Sequence, residues 1–195
     1  MTFNKCSKIT SFDLSKWNYN KLETMKNTFS DCTSLEKIDL GNSTTPCLTE
    51  TALTFANCNK LTSIDLSNFD LSHVINTYGM FTDCKYLKDI NFGKTSTPSL
   101  VEMEIMFQRC ENLTFINLSN FDFSNVKKMQ FAFLGCSKLI SVDFGNITTP
   151  SLEQCQGLFQ YCSSLPSMDF SDFNFAKVKN LEVLFYDCPN LINVT

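Results

Sequence analysis

The sequence predicts an α/β fold, a right-handed parallel solenoid of 26-residue rungs, and three observations predict it. Cysteine stands at positions 6, 32, 58, 84, 110, 136, 162 and 188, so every gap is 26 residues. Three residues before each one stands Phe3, Phe29, Phe55, Phe81, Phe107, Phe133, Phe159 or Phe185, without exception. Three residues after each stands an aliphatic residue, Ile9 and then Leu35, Leu61, Leu87, Leu113, Leu139, Leu165 and Leu191. A fixed period in this range marks a repeat architecture, in which one turn of chain cannot bury its apolar side alone and stacks on copies of itself.

Local periodicities divide each rung. Ile38-Asp39-Leu40 and its equivalents alternate apolar and polar residues, the pattern of a short strand with one buried face. Stacked in register, these strands form a parallel sheet. Before each cysteine the period changes. Met103, Met106, Phe107 and Cys110 fall at i, i+3, i+4 and i+7, which predicts a short helix of about two turns. Pro98-Ser99-Leu100-Val101-Glu102 and Pro150-Ser151-Leu152-Glu153-Gln154 carry capping-box spacing, with Ser99 and Ser151 as N-caps. The expected rung is therefore short parallel strand, turn and short helix. A second period of 52 overlies the first. Odd rungs continue after the strand as Ser67-Asn68-Phe69-Asp70-Leu71-Ser72, where a ring can tuck inward. Even rungs continue as Gly93-Lys94-Thr95-Ser96-Thr97-Pro98, a polar turn, so the genetic unit is a pair of rungs.

Composition excludes several classes. Hydrophobic residues make up 43% of the 195, 19 of them Phe, which is ample for a core and excludes a disordered chain. Net charge is −4 with both signs interspersed, so no basic stripe exists and nucleic acid is not an expected partner. No apolar run approaches the roughly 18 residues of a membrane span, so no transmembrane segment is expected. The opening Met1-Thr2-Phe3-Asn4-Lys5-Cys6 lacks the apolar stretch of a secretion signal and already carries repeat positions. The repeat runs through residues 1–195 without a linker or a polar cap, so we expect a single uncapped repeat domain, part of a longer protein.

The columns resemble the BspA-like leucine-rich repeat surface proteins. Met80-Phe81-Thr82-Asp83-Cys84-Lys85-Tyr86-Leu87 fits the first part of that repeat. Ile64-Asp65-Leu66-Ser67-Asn68-Phe69-Asp70-Leu71-Ser72-His73-Val74 fits the second, and the resemblance covers essentially the whole chain. It implies a leucine-rich-repeat-type fold, display at the cell surface or outside the cell, and a role in adhesion. The Thr-Thr-Pro rungs depart from the family pattern.

The cysteine column reads in two ways. Equivalent atoms on adjacent parallel strands lie about 4.8 Å apart, within reach of a disulfide. Beside an all-Phe column, however, free Cys serves as a small buried hydrophobe. The reduced packing ladder is the favoured reading, with some disulfides as the alternative. Zinc sites want closely spaced Cys pairs, which this chain lacks. Cys47 and Cys155 lie outside the column, and Cys47, which stands where Ser99 and Ser151 stand, is the better candidate for an exposed thiol. His73, the only histidine, occupies a turn position and has no nucleophile arranged around it. Of the glycosylation sequons, Asn42 and Asn146 fall in turns.

The outward strand position carries Asp13, Asp39, Asp65, Asn91, Asn117, Asp143 and Asp169. Its plain reading is a solvated ladder, its sharper one an acidic strip for a basic partner or calcium. Phe115 is an aromatic on an otherwise small and polar face, suited to anchor a partner. These eight residues form the candidate binding face. No rung breaks the pattern with clustered catalytic residues, so we expect a non-catalytic module with no cofactor and no metal. Its expected partner is a protein or glycan ligand, with end-to-end stacking through uncapped ends as a further contact. The alternative is an intracellular scaffold for protein partners, which ten cysteines and the missing signal favour.

Overall fold

Eight short strands recur at the predicted spacing in the structure, a computed structural model that describes residues 3–195. The first two residues of the opening segment, Met1 and Thr2, lie outside the described residues. The strands are β1 (Ser11–Asp13), β2 (Lys37–Asp39), β3 (Ser63–Asp65), β4 (Asp89–Asn91), β5 (Phe115–Asn117), β6 (Ser141–Asp143), β7 (Ser167–Met168) and β8 (Asn193–Val194). All pairing is parallel and in register, Phe12 opposite Ile38 and Ile64 opposite Ile90. In β3, β4 and β5 the middle residue is buried and its two neighbours face solvent.

The short helix is the part of the expected rung that the structure overturns. Among the described residues there is no helix. Met103, Met106, Phe107 and Cys110 are fully buried, as the stripe requires, but they sit on a run of tight turns. Gln108 N–H donates to Ile105 C=O at 3.1 Å, and Cys110 N–H to Phe107 C=O at 3.1 Å. The alternate N–H groups leave the rung altogether. Met103, Ile105, Phe107 and Arg109 donate to Lys128, Gln130, Ala132 and Leu134 of the next rung, at 2.7–3.1 Å. Ile105 and Arg109 make this possible by adopting left-handed backbone, φ 49° and 57°. A helix would have satisfied those donors four residues back within the rung; here they join the repeats instead. Ser99 and Ser151 consequently lie inside the turns that run from Thr97 to Leu100 and from Thr149 to Leu152, and cap nothing helical.

Pairing between rungs follows the 52-residue period. β1 joins β2, β3 joins β4, β5 joins β6 and β7 joins β8, and the strand ladder stops between pairs. A second ladder is continuous. Thr24, Glu50, Asn76, Glu102, Lys128 and Gln154 form successive parallel bridges from rung to rung. Within a pair the chains approach closely at the even-rung glycine: a Cβ on Gly93 would lie 2.8 Å from Ser67 Cα. Between pairs a buried threonine replaces the missing strand bonds. Thr97 Oγ1 accepts Asp122 N–H at 3.0 Å and donates to Asp122 C=O at 3.4 Å. Thr45 does the same for Asp70, and Thr149 for Asn174. One hydroxyl thus serves both backbone groups of the residue opposite, and the Thr-Thr-Pro turns are buried clamps at their second threonine.

The core is a set of parallel side-chain files. Consecutive rings of the Phe3-to-Phe185 column stack with centroids 5.2–5.9 Å apart and planes within 14°, a spacing that favours offset stacking. Truncating a ring held on both faces, such as Phe107, leaves a cavity worth about 3–5 kcal/mol. The column cysteines are free thiols, and from Cys32 to Cys162 they are wholly buried. From Cys32 on, each thiol donates to the carbonyl of the column phenylalanine one rung back, Cys110 Sγ to Phe81 O at 3.3 Å and Cys136 Sγ to Phe107 O at 3.0 Å. The same carbonyl accepts the backbone N–H of its own rung's cysteine. Cys155 is also buried, whereas Cys47 is exposed.

Two outcomes follow from this packing. Thr97→Val leaves the Asp122 N–H without its partner and should cost about 1–3 kcal/mol in urea unfolding, while Thr97→Ser should cost little. Equal loss for both variants would show that the hydroxyl clamp contributes nothing. Burial pushes the Cys84 and Cys136 thiols up to about 12. Their contribution to stability is therefore complete below the ordinary thiol pKa of about 8.5 and is lost as pH rises toward the folded value. Unfolding free energy should fall above about pH 9 by ~1.4 kcal/mol per pH unit for each buried thiol. The triple variant Cys84→Ala, Cys110→Ala, Cys136→Ala should show a shallower decline, and an unchanged slope would contradict the assignment.

Candidate functional site

The strand face presents all eight predicted residues to solvent. Asp13, Asp39, Asp65, Asn91, Phe115, Asn117, Asp143 and Asp169 are each exposed. Parallel register places Asp13 beside Asp39, Asp65 beside Asn91, and Asn117 beside Asp143. Phe115 lies beside Ser141 with half of its surface open, on a face whose strand neighbours are otherwise small or polar.

The acidic column also has a backbone task that its sequence pattern did not disclose. Every member accepts the N–H two residues on. Asp65 Oδ1 takes Ser67 N–H at 2.9 Å, Asn91 Oδ1 takes Gly93 N–H at 2.9 Å, and Asn117 Oδ1 takes Ser119 N–H at 2.9 Å. Asp39, Asp143, Asp13 and Asp169 repeat the bond. Such a local turn needs an acceptor on a short side chain, and Asp and Asn both supply it. This explains why the column alternates between them and admits nothing else from Asp13 to Asp169. The Ser15 hydroxyl and then its N–H hold the Asp13 carboxyl below its ordinary range, and the Ser171 N–H, then its hydroxyl and that of Thr195, lower Asp169. Asn91 further donates to Asp65 at 3.1 Å, relieving like charge along the file.

The face is not uniform along its length. At the first pair boundary Asn68 Nδ2 donates to Gly41 O at 3.4 Å, and at the second Asn120 Nδ2 donates to Gly93 O at 3.2 Å. At the third the equivalent residue is Asp172, an acceptor only, which cannot make that bond. A cleft of about 330 Å³ opens there, lined by Asp143, Asp169 and Asp172 over Phe144 and Met168. His73 is exposed, with Nδ1 3.0 Å from the Ser72 hydroxyl. Among the described residues no group of three His, Cys, Asp or Glu side chains converges as a metal site, and no helix is long and apolar enough to cross a membrane. Asn42 and Asn146 are exposed in their turns.

Short parallel strands repeated in register, with an apolar residue at the same position of each strand and a turn-rich return, define a leucine-rich-repeat-like fold. The fold is similar to that of a leucine-rich repeat protein from T. pallidum, with TM-score 0.52 and 22% identity, over 80% of this chain and 70% of that one. It is also similar to a leucine-rich repeat protein from Bacteroides ovatus, with TM-score 0.58 and 19% identity, over 98% of this chain. This chain spans 56% of the length of the Bacteroides protein. The chain belongs to the family described as Mycoplasma protein of unknown function, DUF285, which matches residues 1–115 and 86–194. No curated protein matches the sequence.

The turn role of the acidic column sets a direct check. Asp65→Asn retains the acceptor and should leave the urea midpoint unchanged. Asp65→Ala removes it and should cost about 1 kcal/mol. Tolerance of alanine would reduce the column to a solvated ladder.

Proposed function

We propose that this chain is a non-catalytic binding module that recognises another macromolecule through its strand face. The observation that carries the reading is Phe115, half exposed near the middle of that face and flanked by the Asp and Asn file. An exposed aromatic within a flat, regular polar surface is the arrangement in which one residue supplies most of the binding energy and its surroundings supply fit. The carboxylates of Asp13, Asp39, Asp65, Asp143 and Asp169 favour a partner with basic groups facing them. Leucine-rich-repeat-like folds offer such a surface without an enclosed pocket.

The BspA-like resemblance supports display at the cell surface and a part in adhesion, within a longer protein whose further repeats or neighbouring molecules stack on residues 1–195. Ten free cysteines favour the second reading, an intracellular scaffold using the same face. A photoreactive residue at position 115, in cells that make the protein, should yield a defined cross-linked adduct. The same residue at position 128, on the second ladder, should not. Adducts from position 128 alone would place recognition on the other face. Labelling of intact cells with a membrane-impermeant reagent separates the two compartments.

A further inference from the structure

Each rung holds a left-handed residue immediately before its column cysteine: Lys5, Asp31, Asn57, Asp83, Arg109, Gly135, Tyr161 and Asp187, with φ 56–72°. Seven of these eight positions carry full side chains at that φ, so the backbone alone does not demand glycine at Gly135. A Cβ there would meet Arg109 Cγ at 3.3 Å and Arg109 Cα at 3.7 Å, a contact the flexible arginine stem can absorb. The effect of the glycine is a gap in an otherwise continuous file of side chains. A surface niche of about 430 Å³ fills that gap, with Arg109 on one side and Tyr161 on the other, and Gln108, Glu111 and Ser137 along its rim.

Both walls are presented to solvent. The Arg109 side chain is about half exposed and reaches Asp83 only through a 3.5 Å contact of its Nε. Tyr161 is 43% exposed. Tyr186 packs against it in a T-shaped pair, centroids 5.5 Å apart and ring planes at 89°.

We propose that this niche binds one pyranose unit of a neutral glycan. A pyranose has a C–H face that lies against an aromatic ring and a rim of hydroxyls, each both donor and acceptor. The niche offers one such ring, Tyr161, together with donors on Arg109 and Gln108, an acceptor on Glu111 and the hydroxyl oxygen of Ser137 as a second acceptor, its proton going to the Glu111 C=O at 3.4 Å. An anionic ligand would meet Glu111 and a cationic one Arg109, so the opposed charges select an uncharged polar ligand. A purely aromatic ligand would desolvate the rim without pairing it. The volume exceeds that of one sugar and leaves room for bridging waters, so a single unit binds weakly and several copies or linked units would be needed for tight attachment. The niche lies on the edge that leads into the strands, apart from the strand face, and the inference stands or falls independently of recognition through Phe115.

The test is a titration of the ¹⁵N-labelled chain with methyl glucoside, methyl galactoside and the methyl glycoside of N-acetylglucosamine, followed by amide shifts. At least one sugar should move the resonances of Arg109, Gly135, Ser137 and Tyr161, and leave those of Phe115 and Asn117 in place. Gly135→Asp fills the gap with a side chain that Asp31, Asp83 and Asp187 already carry at this backbone angle. It should weaken binding at least tenfold with the melting midpoint unchanged. Tyr161→Phe should retain binding and Tyr161→Ala should lose it. No shift with any of the three sugars, shifts that survive Gly135→Asp, or a response to p-cresol in place of the sugars would overturn the proposal.

Discussion

The bond from each column thiol to the phenylalanine carbonyl one rung back ties together the two columns on which everything else depends. A Phe carbonyl that already accepts one N–H has a second lone pair, and only a small donor can reach it inside the core. Cysteine is small enough to sit beside a stacked ring and carries such a donor, weak but wholly buried. Alanine would fit but leave the lone pair unused, and serine would bring a stronger polar group into an apolar file. The period of 26 is thus a chemical constraint as well as a genealogical one: each rung completes the hydrogen bonding of the rung before it.

That constraint also explains why the rungs are not helical. A helix closes its own N–H groups and has nothing left to offer a neighbour. Here two residues per run, four apart, turn left-handed and alternate N–H groups point along the stack, so cohesion comes from backbone bonds between repeats and from the rings between them. The same logic divides the array into pairs. Strand bonds join the rungs of a pair, and a threonine hydroxyl, at Thr45, Thr97 and Thr149, joins one pair to the next. Where a side chain at the boundary changes from Asn68 and Asn120 to Asp172, one of the joints is lost and the face opens into a cleft.

Much of this was legible in the sequence. The strands stand where alternation placed them, the phenylalanine and cysteine files are buried as their invariance required, and Phe115 is exposed. The helix was misread for an identifiable reason. Met103, Met106, Phe107 and Cys110 face the core at helical spacing, but successive turns of three residues and a left-handed corner present the same positions inward. The contrary signal was the residue before each cysteine, where Asp31, Asn57, Asp83, Gly135 and Asp187 favour left-handed backbone and suit a helix interior poorly. The acidic column was read only by its charge, because a side-chain bond to a backbone N–H two residues on leaves no mark in hydropathy. Its steady choice between Asp and Asn was the available clue. A single glycine such as Gly135 carries no signal in the sequence, because it matters only once its neighbours in the stack are known to be large.

Far-ultraviolet circular dichroism of the folded chain tests the central claim most directly. An array of tight turns and two- to three-residue strands predicts a native spectrum without the helical double minimum, lost on melting. A double minimum of the strength that one two-turn helix per rung would produce would contradict it, and would return the backbone N–H groups of Met103, Ile105, Phe107 and Arg109 to their own rung.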